Sequence, residues 1–271
     1  MNLKDWLKAQ RGALCENEVR FVWDVRFPEE ALPVLGDVSL SRIQLDVCNE
    51  IVRRKRAGTP LPYILGREMF YGLMFEVNSS VLIPRPETER ITERALACAG
   101  DGMQVLDLCS GCGNIAVVLK THLPGLRVYG ADSSAEALEV AAANARRHGV
   151  SIDWIHADLF SGVRGRRFDL IVSNPPYVAP EEIRGTLCAE PRSALDGGRE
   201  GTAMIDRILR DAPAFLKKKG HLILEIGYNH KEYVARQVSR AGCYSVKEWI
   251  VDYAGISRGV VLQHHQERKY G

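Results

Sequence analysis

From Gln104 to the end of the chain, short apolar runs alternate with segments of helical spacing, and this alternation constrains the fold more than any other feature. Repeated strand–helix units bring each new strand back alongside the last in the same direction, which builds a parallel sheet covered by helices on both faces. The runs at 104–108, 126–131, 152–156, 168–172, 221–226, 245–251 and 259–263 predict seven strands. Residues 115–122, 135–148, 203–216 and 231–241 have helical composition, and Gly149, Gly220 and Gly242 stand where helices stop. Only 252–258 join the last two strands, too few residues for a helical crossover, so those two strands pair as an antiparallel hairpin.

The first part of the chain follows a different pattern. Residues 3–14, 17–26 and 42–56 read as helices alone. Ser41 and Gln44 form a capping-box pair, and Ile43, Val47 and Ile51 fall at helical spacing on one face. Residues 70–83 have strand-like stretches around the turn-forming Asn78-Ser-Ser80, which predicts a β-hairpin. Ile83-Pro-Arg-Pro-Glu-Thr-Glu89, stiffened by two prolines, then leads into the larger part. The expected division is a helical domain at 1–69, a hairpin linker at 70–89 and an α/β domain at 90–271.

With 46% hydrophobic and 26% charged residues over 271 positions, there is ample apolar material for such a core. The net charge of +2 provides no global basic field, so nothing in the composition supports a nucleic-acid partner. Arg53-Arg-Lys-Arg56 is the one dense basic run, and its place at the end of a helix suits the helix dipole. The charged amino terminus is not a secretory leader, and no apolar stretch approaches a membrane span, so the expectation is a cytoplasmic protein without membrane contact. Seven cysteines fit reduced thiols better than a disulfide framework. Cys109-Ser-Gly-Cys112 lacks further ligands at metal spacing, so no metal is expected, and both thiols read as small packing residues.

Two groups of strand ends carry chemistry. Val105-Leu-Asp-Leu-Cys-Ser-Gly-Cys-Gly-Asn-Ile-Ala116 is a strand, a glycine turn and a helix start, in which Gly111 and Gly113 let the backbone approach a ligand closely. Asp132 ends the next strand, 19 residues after Gly113, where a carboxylate accepts both ribose hydroxyls. Gly111-x-Gly113-x-x-Ala116 also matches a nicotinamide-binding pattern. Asp107, however, would repel a pyrophosphate and welcome the cationic amino-acid moiety of S-adenosylmethionine. Asp158 ends the third strand, placed to accept from the adenine amino group, with Leu159 and Phe160 as ring contacts. Asp107, Cys109, Gly111, Gly113, Asp132, Asp158, Leu159, Phe160 and Asn174 are the candidate cofactor-binding residues.

The second of these is Asn174-Pro-Pro-Tyr177, directly after the apolar run 168–173. Pro175 and Pro176 leave the strand stiff and extended, which fixes the directions of backbone carbonyls. Asn174 adds a side-chain acceptor and Tyr177 a flat face, a combination that suits a planar NH2 group. Two acceptors aimed at its hydrogens orient the nitrogen lone pair and stabilise the positive charge that grows as it attacks an electrophile. Asn174, Pro175, Pro176 and Tyr177 are therefore the candidate catalytic and acceptor-binding residues.

Pro62-Tyr-Ile-Leu-Gly66, Pro84-Arg-Pro-Glu-Thr-Glu89, Asp107-Leu-Cys-Ser-Gly-Cys-Gly113, Asn174-Pro-Pro-Tyr177, Glu190-Pro191 and Ala194-Leu-Asp-Gly-Gly198 together resemble the HemK/PrmC-type peptide-chain release factor glutamine N5-methyltransferases, over nearly the whole chain. The resemblance implies a Rossmann-like class I S-adenosylmethionine-dependent methyltransferase fold with a seven-stranded, mostly parallel sheet behind a small helical domain that helps hold the protein substrate. It implies methyl transfer to the side-chain nitrogen of the glutamine in a Gly-Gly-Gln motif of class I release factors. It further implies that Asn174 and the Pro175 carbonyl hold that NH2, that Tyr177 packs on the amide, and that Arg85, Glu87 and Thr88 line the junction near the cofactor. A monomer is expected. The residues alone leave other readings open: Asn-Pro-Pro-Tyr also serves enzymes that methylate base amino groups, a glutamine of another protein is an alternative acceptor, and a non-catalytic cofactor-binding partner of the translation machinery would share the cofactor loop. Glu190 and Asp196 are read as either closing over the substrate or capping the following helix.

Overall fold

The computed structural model describes residues 2–10, 12–29 and 39–265. Its elements run in chain order as α1 (Leu3–Ala9), α2 (Glu16–Arg26), α3 (Arg42–Arg56), α4 (Leu61–Leu65), β1 (Arg67–Phe70), β2 (Leu73–Glu76), α5 (Pro86–Cys98), β3 (Gln104–Leu108), α6 (Asn114–His122), β4 (Arg127–Asp132), α7 (Ala135–Arg147), β5 (Asp153–His156), β6 (Phe168–Ser173), α8 (Arg192–Leu195), α9 (Ala203–Asp211), β7 (Leu216–Glu225), α10 (Lys231–Ala241), β8 (Tyr244–Val251) and β9 (Ser257–His264).

The sheet order is β5-β4-β3-β6-β7-β9-β8. Strands β3 to β7 pair in parallel, while β9 pairs antiparallel with both β7 and β8. Both faces are covered, so successive strand residues feed two different apolar clusters. Leu106, Leu108, Ile171 and Leu222 enter one, and Val105, Leu170, Val172 and Ile223 the other. The chain leaves β3 toward β4 and β5, then returns to β6 on the other side of β3. The carboxyl ends of β3 and β6 therefore flank a topological switch point, where such sheets open a crevice.

Before the sheet, α1 to α4 enclose a separate core that includes Leu3, Trp6, Val22, Trp23, Ile51 and Ile64. The Ser41–Gln44 capping box forms, but Ile43 is 75% exposed; α3 instead buries Gln44, Cys48, Ile51 and Val52. The basic run is largely engaged within this unit: Arg53 pairs with Glu50 at 2.6 Å, Lys55 with Glu18, and Arg56 donates to the Gln10 carbonyl at 2.9 Å.

The region between the two units differs from the sequence expectation. The hairpin spans β1 and β2 and turns at Tyr71-Gly72, while Asn78-Ser-Ser80 forms a separate turn beyond it. Pro86 opens a helix of 13 residues, α5, instead of remaining in a stiff linker. Proline is welcome at the first helical position, where its missing N–H is unneeded, and Glu87 and Glu89 complement the helix dipole. The predicted helix at 203–216 ends at Asp211, because Pro213 interrupts it and the chain enters β7 at Leu216. The fully buried Asn144 fastens the hairpin to the sheet domain. It exchanges hydrogen bonds with the Glu76 backbone and donates to the Cys112 carbonyl at 2.9 Å.

Candidate active site

The glycine turn after β3 is backbone-rich. Cys109 (φ 62°), Gly111 (φ 53°) and Gly113 (φ 79°) all take left-handed conformations, which coil the chain tightly into the start of α6. Gly113 is required for packing: a Cβ there would stand 2.8 Å from the Trp154 ring and 3.0 Å from the Ala141 side chain. Asp132, at the end of β4, accepts from Gly111 N at 2.8 Å through one carboxylate oxygen and from Ser134 N at 2.9 Å through the other. Each oxygen keeps lone-pair capacity for a further donor.

Cys109, Gly111, Asp132, Asp158 and Leu159 line one side of the crevice, and Arg85, Thr88, Asn174 and Pro176 line the other. Leu159 holds φ 49°, so two strained non-glycine residues, Cys109 and Leu159, face the same cavity. Asp158 pairs with Arg207 at 2.8 Å. Three of the cofactor candidates lie elsewhere. Asp107 is wholly buried beneath the turn, with one oxygen accepting from Ala116 N at 3.2 Å and the other without a partner. Burial pushes its carboxyl up to about 7, and the nearby Asp132 charge adds to this. Gly113 packs against Trp154 and Ala141 rather than the cavity. Phe160 stacks on Phe215 in the core, ring centres 4.6 Å apart, and is no cavity wall. Desolvation raises the thiols of Cys109 and Cys112, the latter to about 12, so neither is a thiolate at neutral pH.

The opposite rim is built from side chains. Asn174 donates from Nδ2 to Thr88 Oγ1 at 3.0 Å, which leaves Oδ1 to accept from another group. Asn174 lines both the crevice and an adjoining pocket with Pro175 and Tyr177. Tyr177 donates its hydroxyl to Glu225 at 3.0 Å, and the negative charge of Glu225, with burial, pushes the phenol well above its usual range. The Tyr177 backbone is wedged against the loop that follows. A Cβ on Gly197 would stand 2.7 Å from Tyr177 Cα and 2.8 Å from Pro176 O. Glu87 lines neither pocket; its charge acts on Glu225, Tyr177 and Arg258 behind the rim.

Glu190 and Asp196 take definite structural roles. Glu190, nearly buried, accepts from Ile83 N at 3.0 Å and pairs with Arg85, so the loop after the tetrad is tied to the entrance of α5. Asp196 accepts from Gly198 N at 2.9 Å and pairs with Arg192 at 3.1 Å, which shapes the turn beside Val178. Sequence reasoning passed over Glu225. Its signal was a lone acid inside the run His221-Leu-Ile-Leu-Glu-Ile226, where a buried strand end favours apolar residues.

The donor set fits a phosphate-free adenosine-bearing group. Among the described residues that line the cavity Arg85 is the one Lys or Arg, and Glu190 holds it, while Arg207 is engaged by Asp158, which leaves little to bind a pyrophosphate. Asp132 and Asp158 provide acceptors, and Leu159, Ile115 and Met204 an apolar lining. Among the described residues, no cluster of His, Cys, Asp or Glu could hold a metal ion, and no helix is long and apolar enough to cross a membrane.

The sheet order and the functional strand ends define a methyltransferase of the Rossmann-like class I fold. A family model for the methyltransferase small domain matches residues 92–198. A solved methyltransferase from Pyrococcus furiosus superposes with a TM-score of 0.56 at 19% identity, covering 80% of this chain and 97% of that one. The release factor glutamine methyltransferase of Geobacter sulfurreducens is 40% identical over 219 residues, 78% of this chain and 77% of the relative. That of Vibrio cholerae serotype O1 is 39% identical over 249 residues, 89% of this chain and 86% of the relative. The chain belongs to the release factor glutamine methyltransferases.

Proposed function

We propose that this enzyme transfers a methyl group from S-adenosylmethionine to the side-chain amide nitrogen of a glutamine in the Gly-Gly-Gln motif of class I release factors. The observation that carries the reading is the position of Asn174, which lines both the crevice beside the glycine turn and the adjoining pocket of Pro175 and Tyr177. An amide placed there would meet the Asn174 Oδ1 acceptor and the Pro175 carbonyl with its two N–H groups, its flat face toward Tyr177. Those acceptors align the nitrogen lone pair and stabilise the charge that builds on it during attack. When bound, the cofactor supplies an electrophilic methyl group. Asp132 would hold its ribose hydroxyls, Asp158 its base, and the Gly111 turn its amino-acid end.

The helical unit at the amino end is proposed to hold the protein substrate. Glu190 supports this reading through its link from the tetrad loop to Arg85 and Ile83, on the path between the two units. The test incubates the protein with methyl-labelled S-adenosylmethionine and a release factor bearing Gly-Gly-Gln, beside a variant whose glutamine is replaced. Label on the intact motif alone is the expected result. Equal label on both, or on neither, overturns the assignment of the acceptor.

A further inference from the structure

Glu225 ends β7 with 1% of its surface exposed, yet it forms no salt bridge among the described residues. Its Oε1 accepts from the Tyr177 hydroxyl at 3.0 Å. Its Oε2 has no hydrogen-bond partner among the described residues at ordinary distance, and the second hydroxyl acting on this carboxylate is that of Thr88. Thr88 in turn accepts from Asn174 Nδ2 at 3.0 Å. One buried acid thus stands behind both ends of the Asn-Pro-Pro-Tyr tetrad, directly at Tyr177 and through one hydroxyl at Asn174.

We propose that Glu225 is a positioning residue for the transfer reaction: it sets the polarity of the hydrogen-bond chain that presents Asn174 and Tyr177 to the acceptor. The inference rests on the reading of this rim as the acceptor site.

An ionised carboxylate only accepts, so the Tyr177 hydroxyl points its hydrogen at Oε1, and the free Oε2 draws the hydrogen of the nearby Thr88 hydroxyl the same way. The Thr88 oxygen then has lone pairs alone to offer Asn174, and the Asn174 amide must turn Nδ2 toward Thr88 and Oδ1 toward the cavity. Replace the acid by a group with a donor, and one partner is reversed. When that partner is Thr88, its hydrogen turns to Asn174 Oδ1, the amide flips, and an N–H donor faces the NH2 of the substrate amide, where an acceptor is needed. A buried acid is a poor choice for stability alone, since an apolar side chain would fill the same space without desolvating a charge.

Burial pushes Glu225 up to about 7, opposed by hydrogen bonds from Thr88 and Tyr177, raised further by the Glu87 charge and lowered by Arg258. Arg258 is itself paired with Asp252 at 2.8 Å, so its help is shared. The folded-state value lies above the unfolded 4.5, so the folded protein holds this proton more tightly. Ionisation therefore costs stability as pH rises between these values, and the full cost is present above them. Glu225→Gln removes that cost, and it also resembles the protonated acid in its hydrogen-bond pattern.

The experiment measures methyl transfer to a Gly-Gly-Gln release factor by the parent, Glu225→Gln, Thr88→Val, Thr88→Ser, the Glu225→Gln/Thr88→Val double variant and Asn174→Ala. Glu225→Gln is expected to lower kcat about tenfold or more at pH near 8, with both KM values within about threefold and a melting temperature no lower than the parent's. The deficit narrows toward pH 6, where the parent's own acid is protonated. Thr88→Ser restores turnover that Thr88→Val loses, and the double variant is no worse than about twofold below the weaker single. Unchanged kcat in Glu225→Gln, or a deficit constant from about pH 6 to 8.5, overturns the inference. Unchanged kcat in Asn174→Ala overturns instead the reading of the acceptor site on which it rests.

Discussion

The two rims of the crevice are constructed by different means. The glycine-turn rim holds its shape through backbone geometry and links between neighbouring segments: Gly111 and Ser134 amides on Asp132, left-handed residues at Cys109 and Gly111. The tetrad rim is held by side chains that arrive from far along the chain. Thr88 reaches Asn174 across 86 residues, Glu225 reaches Tyr177 across 48, and Glu190 reaches the Ile83 amide across 107. A binding surface for one invariant small molecule can be made of backbone. An arrangement that must orient a weak nucleophile needs side chains whose own orientations are fixed by others.

The largest expected effect lies on the tetrad rim. Asn174→Ala removes the acceptor whose partner strengthens only as charge builds on the nitrogen, so kcat should fall by about 10²–10³, the scale for one preorganised polar contact to a transition state. Cofactor affinity, measured by calorimetry, should remain within about threefold. A matching loss of cofactor affinity would break the division of labour between the rims.

On the opposite rim, Asp132→Ala should weaken cofactor binding by about 10- to 100-fold, the loss of roughly 1.5–3 kcal/mol for hydrogen bonds to a charged acceptor. Turnover at saturating cofactor should stay close to the parent's. Calorimetry with unchanged affinity would reject the assignment of this carboxylate to the ribose.

The difference in construction also explains what the sequence made legible. The parallel sheet, its terminal antiparallel hairpin, the glycine turn with Asp132 after the next strand, and the tetrad at the end of β6 were all readable, because each is a local pattern of period, turn residue and strand end. The support of the tetrad was not. Pro86 looked like linker stiffening until its place at the head of α5 showed that it starts a helix and delivers Thr88 to Asn174. Asp107 and Phe160 were motif neighbours that the turn of the backbone carries into the interior. Side-chain direction at a strand end depends on how the next segments fold over it, and no local period records that.

Gly197→Ala should have a middle-sized effect, on stability. The added Cβ would press on Tyr177 Cα and the Pro176 carbonyl, backbone atoms that cannot swing aside as a flexible side chain would. Overpacking of this kind costs about 1–3 kcal/mol. For a chain of this size each kcal/mol lowers the melting temperature by about 2–4 °C. A parent-like melting curve would show that the loop yields, and that the tetrad is less tightly wedged than the distances state.

Cys109→Ala should have the smallest effect and sharpens the comparison most directly. Cys109 lines the cavity in a left-handed conformation, and desolvation raises its thiol well above the usual range. The cofactor rim offers its backbone at this position, which Ala preserves at a similar conformational cost, since both residues carry a Cβ. Both cofactor affinity and kcat should therefore stay within about twofold of the parent, where truncation of Asn174 across the crevice costs orders of magnitude. A thiol kept protonated should also react slowly with an alkylating reagent at neutral pH. Rapid modification of Cys109 with loss of turnover, or a tenfold loss in Cys109→Ala, would mean that the glycine turn itself, and not only Asp132 and Asp158 beside it, acts through a side chain, and the contrast between the backbone-built turn and the side-chain-built rim would fail.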